Sequence, residues 1–104
     1  MRGTALFGQF EITLGDNTRR TIEIRDTATI GRSPDNDIVL DDWTVSRCHA
    51  LVLTRVGGLP LIDLSSTNGT FVNEMLVAPD QQVFLEDGDL IRIGSLLLRY
   101  SVPR

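Results

Sequence analysis

The sequence predicts an all-β domain, and three observations carry that reading. Apolar residues recur with a period of two, tight-turn signals punctuate the runs closely, and no stretch shows a 3.6-residue apolar repeat. Successive strand side chains point to opposite faces, so each alternating run offers one apolar face to a core. Many short runs at this spacing predict an antiparallel sandwich or barrel.

Phe10, Ile12 and Leu14 alternate with Glu11 and Thr13, and Ile22 and Ile24 alternate with Glu23 and Arg25. Near the end, Ile91 and Ile93 flank Arg92, while Leu96, Leu98, Tyr100 and Val102 share one face. Between the runs, Gly15-Asp16-Asn17, Gly57-Gly58, Asn68-Gly69 and Asp87-Gly88 favour positive φ and sharp reversals. The pattern predicts strands over 5–14, 19–25, 28–31, 37–40, 48–56, 59–64, 70–72, 75–77, 82–85, 90–94 and 95–102. There are no internal repeats, linkers or low-complexity tracts.

The 104 residues fit one domain with a core of its own. Net charge is −4, opposite to the cation surplus that a duplex-binding protein needs, so nucleic acid is not an expected partner. Every basic side chain is arginine, a planar fork suited to carboxylate or phosphate. Cys48 is the only cysteine, which excludes an internal disulfide and points to a reducing, cytoplasmic setting. No apolar run is long enough for a membrane span, and Met1-Arg2-Gly3 lacks the apolar stretch of a signal peptide.

Three polar clusters interrupt the strands: Gly31-Arg32-Ser33, Ser46-Arg47-Cys48-His49, and Ser65-Ser66-Thr67-Asn68-Gly69-Thr70. Arg32 can make a bidentate, charge-assisted pair with a phosphate. Ser46 and Thr67 offer hydroxyl donors, and the Asn68 amide can both donate and accept. Singly, each has a duller explanation: a solvated arginine, or an Asn-Gly hairpin turn. Their joint occurrence on an all-β pattern does not.

The set resembles the forkhead-associated (FHA) domain family. Gly31-Arg32, Ser46-Arg47-Cys48-His49, Ser66-Thr67-Asn68-Gly69-Thr70 and Val72-Asn73 match its motif, and Asn36-Asp37-Ile38-Val39-Leu40 and Asp87-Gly88-Asp89 look like it too. The resemblance covers nearly all of residues 1–104. It implies an eleven-stranded antiparallel β-sandwich that binds phosphothreonine peptides through loops at one end, needs no cofactor, and is monomeric as an isolated domain. FHA domains usually sit beside other domains, so a longer parent protein is expected.

Carried over by position, Arg32, Ser46 and Thr67 match phosphate-binding residues. Arg47 and Asn68 match residues that hold the ligand's main chain, and Gly31, His49 and Gly69 match structural positions. Three departures stand out. Cys48 replaces a common arginine, Trp43 replaces a common proline as either a core plug or a reader of flanking ligand residues, and Glu74 replaces a turn glycine.

Catalysis is not expected. Cys48 and His49 are neighbours on an expected strand, where their side chains diverge, and no Gly-x-Ser-x-Gly elbow is present. One histidine and one cysteine do not make a zinc site, and the aspartates at 35, 37, 41 and 42 lack the pattern of a calcium loop. The remaining alternative is an FHA-like domain that assembles without phosphate.

Overall fold

The computed structural model describes residues 6–103. Ala5, the first residue of the first expected strand, lies outside them, as does Met1-Arg2-Gly3. Eleven strands form: β1 Gly8–Thr13, β2 Arg19–Ile24, β3 Ala28–Gly31, β4 Ile38–Val39, β5 Ala50–Val52, β6 Pro60–Asp63, β7 Thr70–Val72, β8 Met75–Leu76, β9 Val83–Phe84, β10 Leu90–Ile93 and β11 Leu96–Ser101. Each falls inside one of the expected segments.

Two sheets stack, ordered β2-β1-β11-β10-β7-β8 and β4-β3-β5-β6-β9. The alternation decides which side chains fill the space between them. Phe10, Ile12, Ile91, Ile93 and Leu98 enter from one sheet, and Ile30, Val52 and Leu61 from the other, all fully buried. The rings of Phe10 and Tyr100 meet edge to face at 5.8 Å. Among the described residues no helix is long and apolar enough to cross a membrane.

Two expectations need correction. β3 and β4 pair in parallel, Ile30 opposite Ile38, so the sandwich is not wholly antiparallel. Asp37 explains the return path: its backbone N–H donates to Thr29 Oγ1 (3.0 Å) and its carboxylate accepts from the Thr29 N–H (2.9 Å). Secondly, the expected strand 48–56 is only Ala50–Val52, so Cys48 and His49 lie in the loop before β5. Their side chains still part company, Cys48 facing solvent and His49 buried.

Candidate phosphopeptide-binding site

The ends of β3, β6 and β10 and the starts of β5, β7 and β11 meet at one pole of the sandwich. The β3–β4 loop, the β4–β5 loop, the β6–β7 loop and the β10–β11 turn therefore converge there. All three polar clusters of the sequence lie on these loops.

His49 ties them together. Its side chain is 0% exposed, and Nδ1 accepts the backbone N–H of Ser46 at 3.0 Å. An acceptor at Nδ1 places the proton on Nε2, which donates to the Gly69 carbonyl at 3.0 Å. One neutral imidazole thus bridges the second and third clusters. Burial pushes its pKa below the ordinary 6.5, against smaller upward pulls from the Gly69 bond and the Asp63 charge.

The first cluster is locked by contact at the backbone. The Arg32 N–H donates to the Ser46 carbonyl (2.9 Å) and the Ser33 N–H to the Arg47 carbonyl (3.2 Å). Asn36 Nδ2 reaches the same Arg47 carbonyl at 2.7 Å. Gly31 permits this approach, because a Cβ there would sit 2.1 Å from the Arg47 oxygen.

Held this way, the chemistry-bearing groups face solvent. Arg32 fixes its Nε to the Val45 carbonyl at 3.0 Å, which leaves both terminal nitrogens of the guanidinium for a ligand. The Ser46 Oγ accepts the Thr67 N–H at 2.9 Å, so its own proton remains available to donate outward. Thr67, Arg47 and Asn68 are exposed, and Asn68 uses one amide hydrogen on the Thr44 carbonyl (2.8 Å), keeping its oxygen and second hydrogen. The arrangement gathers two guanidiniums, hydroxyl donors and an amide on neighbouring loops, which is suited to an oxyanion on a peptide.

Asp63 escaped sequence reasoning. It is 3% exposed and accepts from the Ser66 N–H (3.1 Å), the Ser66 hydroxyl (2.5 Å) and the Thr70 hydroxyl (2.7 Å), and the Ser66 Oγ in turn accepts the Gly69 N–H at 3.0 Å. This carboxylate sets the shape of the β6–β7 loop. Its signal was present: Asp63 shares the inward phase of Leu61 and precedes a serine by three. A second support also went unseen. Asp42 accepts the Thr44 N–H (2.9 Å) and hydroxyl, and Thr44 Oγ1 accepts the Ser95 N–H at 2.8 Å, joining the β4–β5 loop to the β10–β11 turn.

Neither Ser46 nor Cys48 forms a nucleophile–base pair with His49 among the described residues. His49 Nδ1 meets the backbone of Ser46 rather than its hydroxyl, and Cys48 faces away. Trp43, for which two roles stood open, is 87% exposed and plugs no core.

Fold and site together define a β-sandwich that gathers guanidinium, hydroxyl and amide groups on the loops at one pole. The FHA domain model matches residues 28–94, and the chain belongs to the FHA domain family. A curated relative, the oxoglutarate dehydrogenase inhibitor of Corynebacterium diphtheriae, is 39% identical over 92 residues, or 88% of this chain and 62% of its own length. The chain spans about half the length of two further corynebacterial relatives of that name. Among solved structures, one from a structural and functional analysis of phosphothreonine-dependent FHA domain interactions superposes with a TM-score of 0.79 at 35% identity, covering 92% of this chain and 98% of that one. Another, Mycobacterium tuberculosis EmbR in complex with a low-affinity phosphopeptide, gives 0.78 at 32% identity, covering 90% of this chain and 24% of that one. The family and the relative's role as an inhibitor agree with the expectation of a non-enzymatic interaction module.

Proposed function

We propose that this chain is a phosphothreonine-dependent protein-interaction domain, with Arg32, Ser46 and Thr67 around the phosphate and Arg47 and Asn68 on the ligand's main chain. The observation that carries the proposal is the Thr67 N–H to Ser46 Oγ bond. It fixes two loops to each other and leaves the serine proton to meet an oxyanion beside the free end of Arg32. The ligand is a phosphothreonine segment of another protein, and the γ-methyl lodges beside Thr67 and Asn68. The setting is cytoplasmic, the isolated domain monomeric, and the whole of residues 1–104 one module of a signalling protein.

The test is calorimetry with phosphothreonine, phosphoserine and unphosphorylated forms of one peptide, its sequence taken from an oriented library screen. Charge-assisted hydrogen bonds contribute about 1.5–3 kcal/mol, so Arg32→Ala weakens phosphothreonine binding at least about ten-fold. Lysine rescues poorly because it lacks the fork. Burial of one methyl contributes about 0.8 kcal/mol and a β-branched residue loses less rotamer freedom, so phosphothreonine exceeds phosphoserine by more than about four-fold. Wild-type affinity in Arg32→Ala sinks the site assignment. Equal affinity for all three peptides favours phosphate-independent assembly.

A further inference from the structure

An open hollow of ≈ 440 Å³ adjoins the loops at Asn68, lined by Trp43, Thr44, Asn68, Arg92, Gly94 and Ser95. Its walls are built closely. Gly94 has φ +57, and a Cβ there would lie 2.5 Å from Thr44 Oγ1. Asn68 and Ser95 both bond to Thr44, at 2.8 Å each.

Two of its side chains do nothing for the core. The Trp43 indole stands 87% exposed, where a large aromatic gains no burial energy. Arg92 lies on the outer face of β10 with its Cζ 4.0 Å from the centre of the Phe71 ring. Among the described residues the ion pairs are Arg19–Glu11 and Arg25–Glu23, and Arg92 belongs to neither. No aspartate or glutamate lines the hollow. Asp42 bonds to its wall at Thr44 and, at 3.4 Å, at the Ser95 hydroxyl, and these bonds favour its charged form. Within the lining itself Arg92 is the charged side chain, beside an apolar plate and next to the residue placed on the ligand's main chain.

We propose that the hollow selects an acidic side chain on the phosphorylated segment, with Arg92 pairing to its carboxylate and the Trp43 indole covering its methylenes. The inference rests on the phosphothreonine reading above. Stacking on Phe71 holds the guanidinium in place, so pairing orders one long side chain fewer. The indole displaces water from the pair and strengthens its attraction.

The experiment walks one glutamate through the positions flanking phosphothreonine and compares each peptide with its alanine and lysine twins by calorimetry. The proteins are the wild type, Arg92→Gln, Arg92→Glu and Trp43→Ala, each checked for an unchanged melting temperature. The readout is the ratio of glutamate to alanine affinity, so a general loss of binding cancels. At one position the wild type gains about five-fold from glutamate, near the upper range for an exposed pair. That gain disappears in Arg92→Gln, passes to the lysine peptide in Arg92→Glu, and shrinks in Trp43→Ala. A gain at no position, or one that persists in Arg92→Gln, overturns the proposal. Unphosphorylated peptides binding as tightly as phosphorylated ones remove the phosphothreonine reading itself, and this subsite with it.

Discussion

Replacing His49 by alanine tests the keystone of the site. The change removes two hydrogen bonds and strands the Ser46 N–H and the Gly69 carbonyl. An orphaned polar group costs about 1–3 kcal/mol, and the void left by a fully buried ring adds a cavity term. The two groups alone come to about 2–6 kcal/mol before the cavity is counted, a large share of the ~5–15 kcal/mol that holds a typical domain. Urea unfolding should be followed by far-UV circular dichroism, because Trp43 is already 87% exposed in the folded state and is a poor fluorescent reporter. Where the variant remains folded, its phosphothreonine affinity drops at least about ten-fold, since Ser46 and Thr67 lose their common anchor. A stability change below about 1 kcal/mol, or undiminished binding in the folded variant, refutes the bridging role. An ester or phosphoester turnover that vanishes in a normally stable variant makes His49 a catalytic base instead.

The remaining predictions follow from single contacts. Burial lowers the His49 pKa from 6.5, so the unfolded chain holds the extra proton. Stability is therefore complete above about pH 6.5 and is lost as pH falls below it, by at most about 1.4 kcal/mol per pH unit from this group; denaturant melts from pH 7.5 to 5 show that slope in the wild type and not in His49→Ala. Gly31→Ala drives a methyl into the Arg47 carbonyl and costs about 3 kcal/mol or more, read as a fall in melting temperature together with lost peptide binding. Glu74→Gly is expected to stabilise. Asn73 and Glu74 have φ of 49 and 70 in the two-residue turn where Val72 faces Met75, and relief of a left-handed non-glycine residue is worth about 1 kcal/mol, measured by urea unfolding.

The eleven strands were legible because alternation and turn chemistry are local signals. Direction of pairing is not local: β3 and β4 read as two apolar runs whichever way they run, and only the Asp37–Thr29 bonds reveal the parallel return. The 48–56 segment looked like one long strand because apolar residues continue through it, yet the regular pairing is confined to Ala50–Val52, with His49 still bonded through its backbone to Ile30 and Leu64. Arg32, Ser46, Thr67 and Asn68 were found by motif, and the structure brings all four to one pole. Asp63 left a local trace, an inward-phased acid three residues before Ser66 and seven before Thr70. The Asp42–Thr44–Ser95 chain left none, because it is closed only by the fold: Thr44 and Ser95 stand 51 residues apart.

The direction of β1 and β11 has a practical consequence. Gln9 and Ser101 face each other in the ladder at the pole away from the recognition loops, about 5 Å apart as paired residues are. Both residues therefore stand side by side behind the sandwich, clear of the loops. A reporter group carried on either of them would sit at the opposite pole from Arg32, Ser46 and Thr67, so it could follow binding without standing in the ligand's way.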